Sequence, residues 1–91
     1  MKRPHIPHPT LPGEMLKEEF LIPMEINQSE LARALGVAPR TVNEICNGKR
    51  AISSRMALLL AGYFDTTPEL WMNLQMAWDL WKEWEKYKDA S

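Results

Sequence analysis

The side chains at residues 39–47 are suited to specific hydrogen bonding with another molecule. Arginine can donate two parallel N–H bonds to guanine, glutamate can accept from the amino group of cytosine, and a threonine methyl can contact thymine. The outward positions of this stretch are Pro39, Arg40, Thr41, Asn43, Glu44 and Asn47. These residue types indicate a surface that can read the base edges of DNA. The alternative is a polar helix face that contacts only water.

An apolar stripe through the same stretch predicts a helix that is anchored on one side. Val42, Ile45 and Cys46 recur at helical spacing. Pro39 suits the first position of this helix, because the N–H that proline lacks would have no partner there. The stripe would hold the helix in the core and leave its polar side outward.

A second short helix precedes this one at the spacing of a helix-turn-helix. Asn27 and Glu30 have the spacing of a capping box, which predicts a helix over residues 28–35. Gly36 can adopt the left-handed conformation that ends a helix. Two short helices joined by a glycine turn can hold the second one in a DNA major groove. The same pair also occurs as a purely structural part of helical bundles.

The rest of the chain completes an all-α prediction without a strand. Prolines crowd the first twelve residues and favour an extended arm, since proline lacks the backbone donor. Ser53 or Ser54 would cap the fourth helix. The five predicted helices are residues 13–22, 28–35, 39–46, 54–63 and 68–88. The predicted segments are a proline-rich arm at 1–12, a helix-turn-helix body at 13–66 and a C-terminal helix at 67–91.

The net charge of −1 conceals a basic segment between two acidic ones. Residues 1–27 carry a net −1 and residues 56–91 a net −3, whereas residues 28–55 carry a net +3. The predicted helix-turn-helix lies in the basic segment. Because affinity for phosphates comes from local clusters of cations, this distribution favours DNA binding. The cluster is small, so we expect binding as a dimer.

Four tryptophans lie in the predicted fifth helix. Trp71, Leu74, Trp78 and Trp81 follow one another at helical spacing, and we expect the first two to belong to the core. Tryptophan is enriched at the centres of protein interfaces. We therefore predict that Trp78, Trp81 and Trp84 contact a second copy of the chain.

The sequence argues against several classes of protein and site. The single cysteine, Cys46, can form neither an intramolecular disulfide nor a cysteine-based zinc site, which favours an intracellular location. No apolar run approaches the ~20 residues of a membrane span, and the N-terminus lacks the apolar segment of a signal peptide. His5 and His8 lie in the proline-rich arm, where no helix aligns them for a metal. Because no catalytic motif is present, we expect no enzymatic activity, cofactor or metal.

The chain resembles the phage-repressor helix-turn-helix (Cro/C1, also called XRE) in two segments, Gln28-Ser-Glu-Leu-Ala-Arg-Ala-Leu-Gly36 and Val42-Asn-Glu-Ile-Cys-Asn-Gly-Lys-Arg50. With the flanking segments 12–20 and 68–75, about residues 12–82 resemble the HigA-type antitoxins of bacterial toxin–antitoxin pairs. The flanking segments make the resemblance specific. Ala38 departs from it, because a Ser or Thr would usually cap the third helix.

The resemblance implies a phage-repressor-like fold and a role for individual residues. The implied DNA contacts are Gln28 for a phosphate, Pro39, Arg40, Thr41, Asn43 and Glu44 for base edges, and Asn47, Lys49 and Arg50 for the backbone of the opposite strand. Arg40 is the strongest candidate for base specificity, through guanine; its alternative is a phosphate contact. Glu44 would accept from a cytosine or hold Arg40.

The resemblance also implies partners in a bacterial cytoplasm. These are a palindromic operator in double-stranded DNA, a second copy of the chain and a small RNA-cleaving toxin of the RelE-like group. Candidate toxin surfaces are the acidic segment 56–91 and the N-terminal helix with Glu14, Glu18, Glu19 and Glu25. The implied function is an antitoxin that represses its own operon. The alternatives are a solitary regulator without a toxin and an interaction module whose helix-turn-helix is structural.

Overall fold

The computed structural model describes residues 5–89, which form five helices and no strand. The first helix begins as an α-helix and continues as a π-helical segment. The helices are α1 (Pro12–Met15) with the π segment (Leu16–Leu21), α2 (Gln28–Leu35), α3 (Pro39–Cys46), α4 (Ser54–Phe64) and α5 (Pro68–Asp89). The predicted all-α architecture with a helix-turn-helix is therefore confirmed.

The π segment is a difference from the expected α-helix. The backbone N–H of Ile22 bonds to the carbonyl oxygen of Lys17, five residues earlier, at 3.0 Å. This wider spacing places Leu16 and Leu21 on the same buried side, although they are five residues apart. In a regular α-helix of 3.6 residues per turn, two residues five positions apart would not share one face.

The helix ends follow the local signals in the sequence. The Asn27 side chain accepts from the N–H of Glu30 at 2.8 Å, and the Glu30 side chain accepts from the N–H of Asn27 at 3.3 Å, which confirms the capping box. Gly36 ends α2 at a φ of 72°. Of the two candidate caps for α4, Ser53 is the cap, because its hydroxyl accepts from the N–H of Met56 at 3.1 Å.

The core contains residues from all five helices and from the loop before α4. Its buried apolar side chains are Leu16, Leu21, Leu31, Ala32, Val42, Ile45, Cys46, Ile52, Met56, Ala57, Leu60, Ala61 and Trp71. Trp71 is fully buried, and its indole N–H donates to the hydroxyl of Thr66 at 2.9 Å. Leu74 is half-buried and packs against the core. The expected core role of Trp71 and Leu74 is confirmed.

Gly13 allows the first helix to lie directly against the end of α3. Gly13 is buried, and a Cβ at this position would collide with the carbonyl oxygen of Ile45. It would also lie 2.8 Å from the Cα of Cys46. Because only glycine permits so close an approach, this contact positions the C-terminal end of α3.

An extended segment at residues 5–11 lies against α5. The ring of His8 is 4.4 Å from that of Trp81 between centroids, and the ring of His5 is 6.0 Å from that of Trp84. The first four residues of the predicted arm and the last two of the predicted C-terminal segment lie outside the described residues. Within 5–89, the helices lack the combination of length and hydropathy that a membrane crossing requires.

Candidate nucleic-acid interface

Helix α3 is anchored through one side and exposes the other. Val42, Ile45 and Cys46 are buried, as the apolar stripe predicts. Pro39 takes the first position, and Ala38 precedes it without a side-chain cap. The predicted DNA-binding residues lie outside the core: Pro39, Arg40, Asn43, Asn47, Lys49 and Arg50 are exposed, and Gln28, Thr41 and Glu44 are half-buried.

Three amide side chains form a hydrogen-bonded row from the start of α2 to the end of α3. The side-chain oxygen Oε1 of Gln28 accepts from the side-chain nitrogen Nδ2 of Asn43 at 3.1 Å. The side-chain oxygen Oδ1 of Asn43 accepts from the side-chain nitrogen Nδ2 of Asn47 at 3.3 Å. The row joins the two helices across the turn and orients polar groups that base edges or phosphates can contact.

Glu44 lies between two arginines. Its Oε1 accepts from Nε of Arg50 at 3.1 Å and from Nη2 of Arg50 at 2.8 Å. Its Oε2 lies 3.5 Å from Nε of Arg40, one helical turn away. The pKa of the Glu44 carboxyl is lowered, mainly by the hydrogen bond from Arg50. Desolvation raises this pKa, but the positive charges of Arg50 and Arg40 lower it further, and the net shift is downward. We call these three residues the Arg–Glu–Arg cluster.

The pairing of Glu44 with Arg50 is a contact that the sequence reading missed. The sequence indicated only Arg40, four residues away, as an ionic partner of Glu44. The chain turns back after α3 because Gly48 adopts a φ of 73° and the N–H of Lys49 bonds to the carbonyl oxygen of Glu44 at 2.8 Å. Asn47-Gly48 was a signal for this turn, but it does not determine where the side chain at position 50 lies.

A buried hydrogen bond from α5 holds the basic loop, which we define as residues 47–52. Gln75 is buried, and its Oε1 accepts from the backbone N–H of Ile52 at 2.9 Å. Its amide nitrogen donates to Asp79 at 2.9 Å. Gln75 is not among the residues predicted above to bind DNA, although a glutamine within the apolar stripe of the fifth helix was a signal for a buried polar contact.

The predicted dimer residues lie next to the chain's own N-terminal segment. Trp78, Trp81 and Trp84 are half-buried. His8 packs against Trp78 and Trp81, and His5 packs edge-on against Trp84. The two histidines thus take part in aromatic packing, and the described residues hold no group of three or more side chains placed to bind a metal.

Acidic side chains gather on the first helix. Glu14, Glu18 and Glu19 are exposed and line a shallow depression together with Thr10 and Met15. The depression lies at the junction of the extended segment and the first helix. It is an electronegative surface that suits a cationic partner.

Cys46 is a core side chain of α3 rather than a reactive group. Burial raises the pKa of its thiol, against the opposing positive charge of Lys17. A thiol that stays protonated is a poor nucleophile and a poor metal ligand. Its place in the core agrees with the apolar stripe that the sequence predicts for Val42, Ile45 and Cys46.

The helix-turn-helix family matches residues 16–71 of the chain. An HTH-type transcriptional regulator of Haemophilus influenzae is 49% identical over 80% of this chain and 68% of its own length. Antitoxin HigA-1 of Vibrio cholerae is 43% identical over 91% of this chain and 78% of its own length. These relatives are transcription regulators and antitoxins, and the family is not one of enzymes.

Solved structures extend the similarity to the three-dimensional fold. The antitoxin HigA of Pseudomonas aeruginosa, solved with the higBA promoter, superposes with a TM-score of 0.87 at 42% identity. The match covers 91% of this chain and 90% of that one. The chain therefore belongs to the Cro/C1-type helix-turn-helix family, as a HigA-type member.

Proposed function

We propose that this chain is a sequence-specific DNA-binding repressor of the HigA antitoxin type that represses its own operon. In this proposal α3 enters the major groove of a palindromic operator. Gln28 and the basic loop contact the backbone, while Arg40, Thr41 and Asn43 face base edges. The protein acts in the cytoplasm and is associated with the nucleoid when it is bound to DNA.

The observation that carries the proposal is the outward surface of α3. Its polar side chains are linked across the turn by the Gln28–Asn43–Asn47 row and flanked by the Arg–Glu–Arg cluster. This surface lies in the segment 28–55, which has a net charge of +3. The relative from Pseudomonas aeruginosa was solved with a promoter, which supports the same use of the corresponding surface here.

A DNA-binding assay with matched charge variants tests the proposal. The chain is titrated onto the DNA upstream of its own gene and onto unrelated DNA of equal length. We expect the double variant Arg40→Ala with Lys49→Ala to lose specific binding, because it removes a base contact and a phosphate contact. The control variant Lys86→Ala with Lys88→Ala removes two positive charges from the C-terminal end of α5 and should bind as the wild type does.

The outcome separates the candidate functions. Circular dichroism and light scattering establish that both double variants are folded and in the same oligomeric state. A wild-type chain that binds no DNA at low salt would refute the repressor function. It would instead favour an interaction module whose helix-turn-helix is structural.

We propose that the repressor is a homodimer that uses α5. Met76 and Leu80 are each 55% exposed and lie on one face of the helix, four residues apart. Trp78, Trp81 and Trp84 remain predicted contacts: Trp78 and Trp81 lie on another face of the helix, and Trp84, four residues after Leu80, borders both faces. A dimer would hold its two α3 helices about 34 Å apart, which matches operator half-sites that are one turn of the DNA double helix apart.

Sedimentation equilibrium distinguishes the two faces of α5. We expect Leu80→Glu to convert the dimer into a monomer and to weaken operator binding, because a charge is placed in the buried centre of the interface. A dimer that survives Leu80→Glu but dissociates in Trp81→Ala would place the interface on the tryptophan face instead. The exposed substitution Lys86→Ala, on a different side of the same helix, serves as a control.

We also propose that a small basic RNA-cleaving toxin is the protein partner. The depression lined by Glu14, Glu18 and Glu19 supports this proposal, because its charge complements an RNA-binding surface. The test is calorimetric titration with the product of a short basic reading frame beside the gene. We expect charge reversal at Glu14 and Glu18 to weaken binding, whereas reversal at Glu83 leaves it unchanged. If no such neighbour binds, the solitary regulator is the correct alternative.

A further inference from the structure

We infer that Glu44 is a positioning residue of the DNA-binding surface: it orients the guanidinium groups of Arg50 and Arg40 and does not itself read a base. The inference rests on the DNA-binding function proposed above. Of the two roles that the sequence leaves open for Glu44, it excludes the cytosine contact, keeps the contact with Arg40 and adds Arg50 as the main partner. The experiments below separate a failure of this inference from a failure of the proposed function.

Glu44 is the least accessible member of the Arg–Glu–Arg cluster. The exposed fraction of its side chain is 23%, compared with 84% for Arg40 and 50% for Arg50. A carboxylate that reads cytosine has to present an oxygen to the base edge in the groove. Here Oε1 already accepts two N–H bonds from Arg50, and Oε2 faces Arg40.

The contacts leave the arginines able to bind DNA. A guanidinium has five N–H donors in a rigid fork, and Glu44 takes two of those of Arg50 through Nε and Nη2. The N–H donors of Arg50 that remain include both of those on Nη1. For Arg40 the ion pair is at Nε, so the two terminal nitrogens remain for a bidentate bond to guanine or phosphate. Glu44 therefore holds each arginine through a contact that includes its Nε and leaves other N–H donors of that arginine for DNA.

The electrostatics favour the same role. A carboxylate that faced DNA alone would be repelled by the phosphates. Between two arginines it belongs to a cluster with a net charge of +1, which phosphates attract. The two long side chains are also partly ordered before DNA arrives, so less conformational freedom is lost on binding.

A double-mutant cycle tests whether Glu44 acts through Arg50. The variants are Glu44→Gln, Arg50→Gln and the combination of the two, titrated onto operator DNA and onto unrelated DNA. We expect Glu44→Gln to bind the operator about 3- to 30-fold more weakly, within the range of coupled neighbours. Its binding to unrelated DNA should not weaken, because a negative charge has been removed. The combined variant should lose less binding free energy than the sum of the two single losses, because the part of the Glu44 effect that acts through Arg50 is already absent in Arg50→Gln.

A scan of single base-pair substitutions in the operator distinguishes positioning from base reading. If Glu44 orients the arginines, Glu44→Gln loses discrimination only where Arg40→Ala also loses it. The inference is overturned if Glu44→Gln loses discrimination at a base pair that Arg40→Ala leaves unaffected. It is also overturned if the losses from Glu44→Gln and Arg50→Gln are additive.

A measurement on the free protein does not depend on the operator. The Nε–H of Arg50 donates to Glu44 at 3.1 Å, so its proton should exchange slowly with water in the wild type and rapidly in Glu44→Ala, which removes the acceptor. The Nε–H of Arg33 in α2 is the internal control and should not change. Equal exchange at Arg50 in both proteins would overturn the inference even if the wild type binds its operator. A wild type that binds no DNA would refute the proposed function and this inference together.

Discussion

The side-chain oxygen of Gln75 accepts a buried hydrogen bond of 2.9 Å from the backbone N–H of Ile52. This bond connects α5 to the end of the basic loop, which carries Lys49 and Arg50. Gln75 is itself held by its amide bond to Asp79. The loop that we propose to contact DNA is therefore positioned by a residue in a different helix from the recognition residues.

Removing this acceptor should destabilise the fold. Gln75→Ala leaves the N–H of Ile52 buried without a partner, which costs about 1–3 kcal/mol in free energy of unfolding. Urea denaturation followed by circular dichroism measures the change. The exposed substitution Asn73→Ala on the same helix should alter stability by less than about 0.5 kcal/mol. Equal stability of the two variants would contradict the structural role of Gln75.

Gly13→Ala should destabilise the protein through a steric collision. A methyl group at this position meets the backbone of Ile45 and Cys46, so α3 has to move away at a cost of about 1–3 kcal/mol. Gly62→Ala is a matched control in α4, where a Cβ meets no atom within 4 Å. We expect the control to stabilise the helix by about 1 kcal/mol. Thermal denaturation shows whether each variant is more or less stable than the wild type. A Gly13→Ala variant that is more stable would refute the close approach of Gly13 to the backbone of Ile45 and Cys46.

Adding a cap to α3 should stabilise the protein. Ala38 occupies the cap position with an extended backbone and no side-chain hydrogen bond to the helix. Ala38→Ser supplies a hydroxyl that can accept from an N–H in the first turn, which is worth about 1 kcal/mol. Chemical denaturation measures the gain. Ala38→Val, which adds volume without a cap, should show no such gain.

The titration of Glu44 should depend on Arg50. The pKa of this carboxyl lies below its ordinary value of 4.5, first because of the hydrogen bond from Arg50. A pKa that is lower in the folded state contributes stability above the unfolded value, and this contribution is lost as the pH falls through the folded pKa. We expect Arg50→Gln to move the pKa of Glu44 up toward 4.5, whereas Lys86→Gln leaves it in place. Carbon-detected NMR titration of the carboxyl group follows both variants; an unmoved pKa in Arg50→Gln would contradict the pairing.

The helix ends could be predicted because their signals act over three or four residues. Asn27 and Glu30 cap each other, Gly36 adopts the left-handed conformation, and Pro39 begins α3, all as the sequence indicates. The predicted helices differ from the structure only in small local details. The fourth helix ends at Phe64 rather than Tyr63, and the first helix adopts π geometry over Leu16–Leu21.

The surface of α3 was predictable for a related reason. Val42, Ile45 and Cys46 have to face the core, so the residues between them face outward. Periodicity therefore identified which side of the helix is available to a ligand. It did not determine how the polar side chains pair with one another.

The sequence by itself determined the five helices, the helix-turn-helix and the exposed face of α3, because capping and periodicity depend on near neighbours along the chain. Only the tertiary structure decided that Arg50 pairs with Glu44, that Gln75 holds Ile52 and that His8 packs on Trp81. These contacts join residues on different elements or across a turn. Their distances are set by how the helices pack, and no local pattern of residue types specifies that packing.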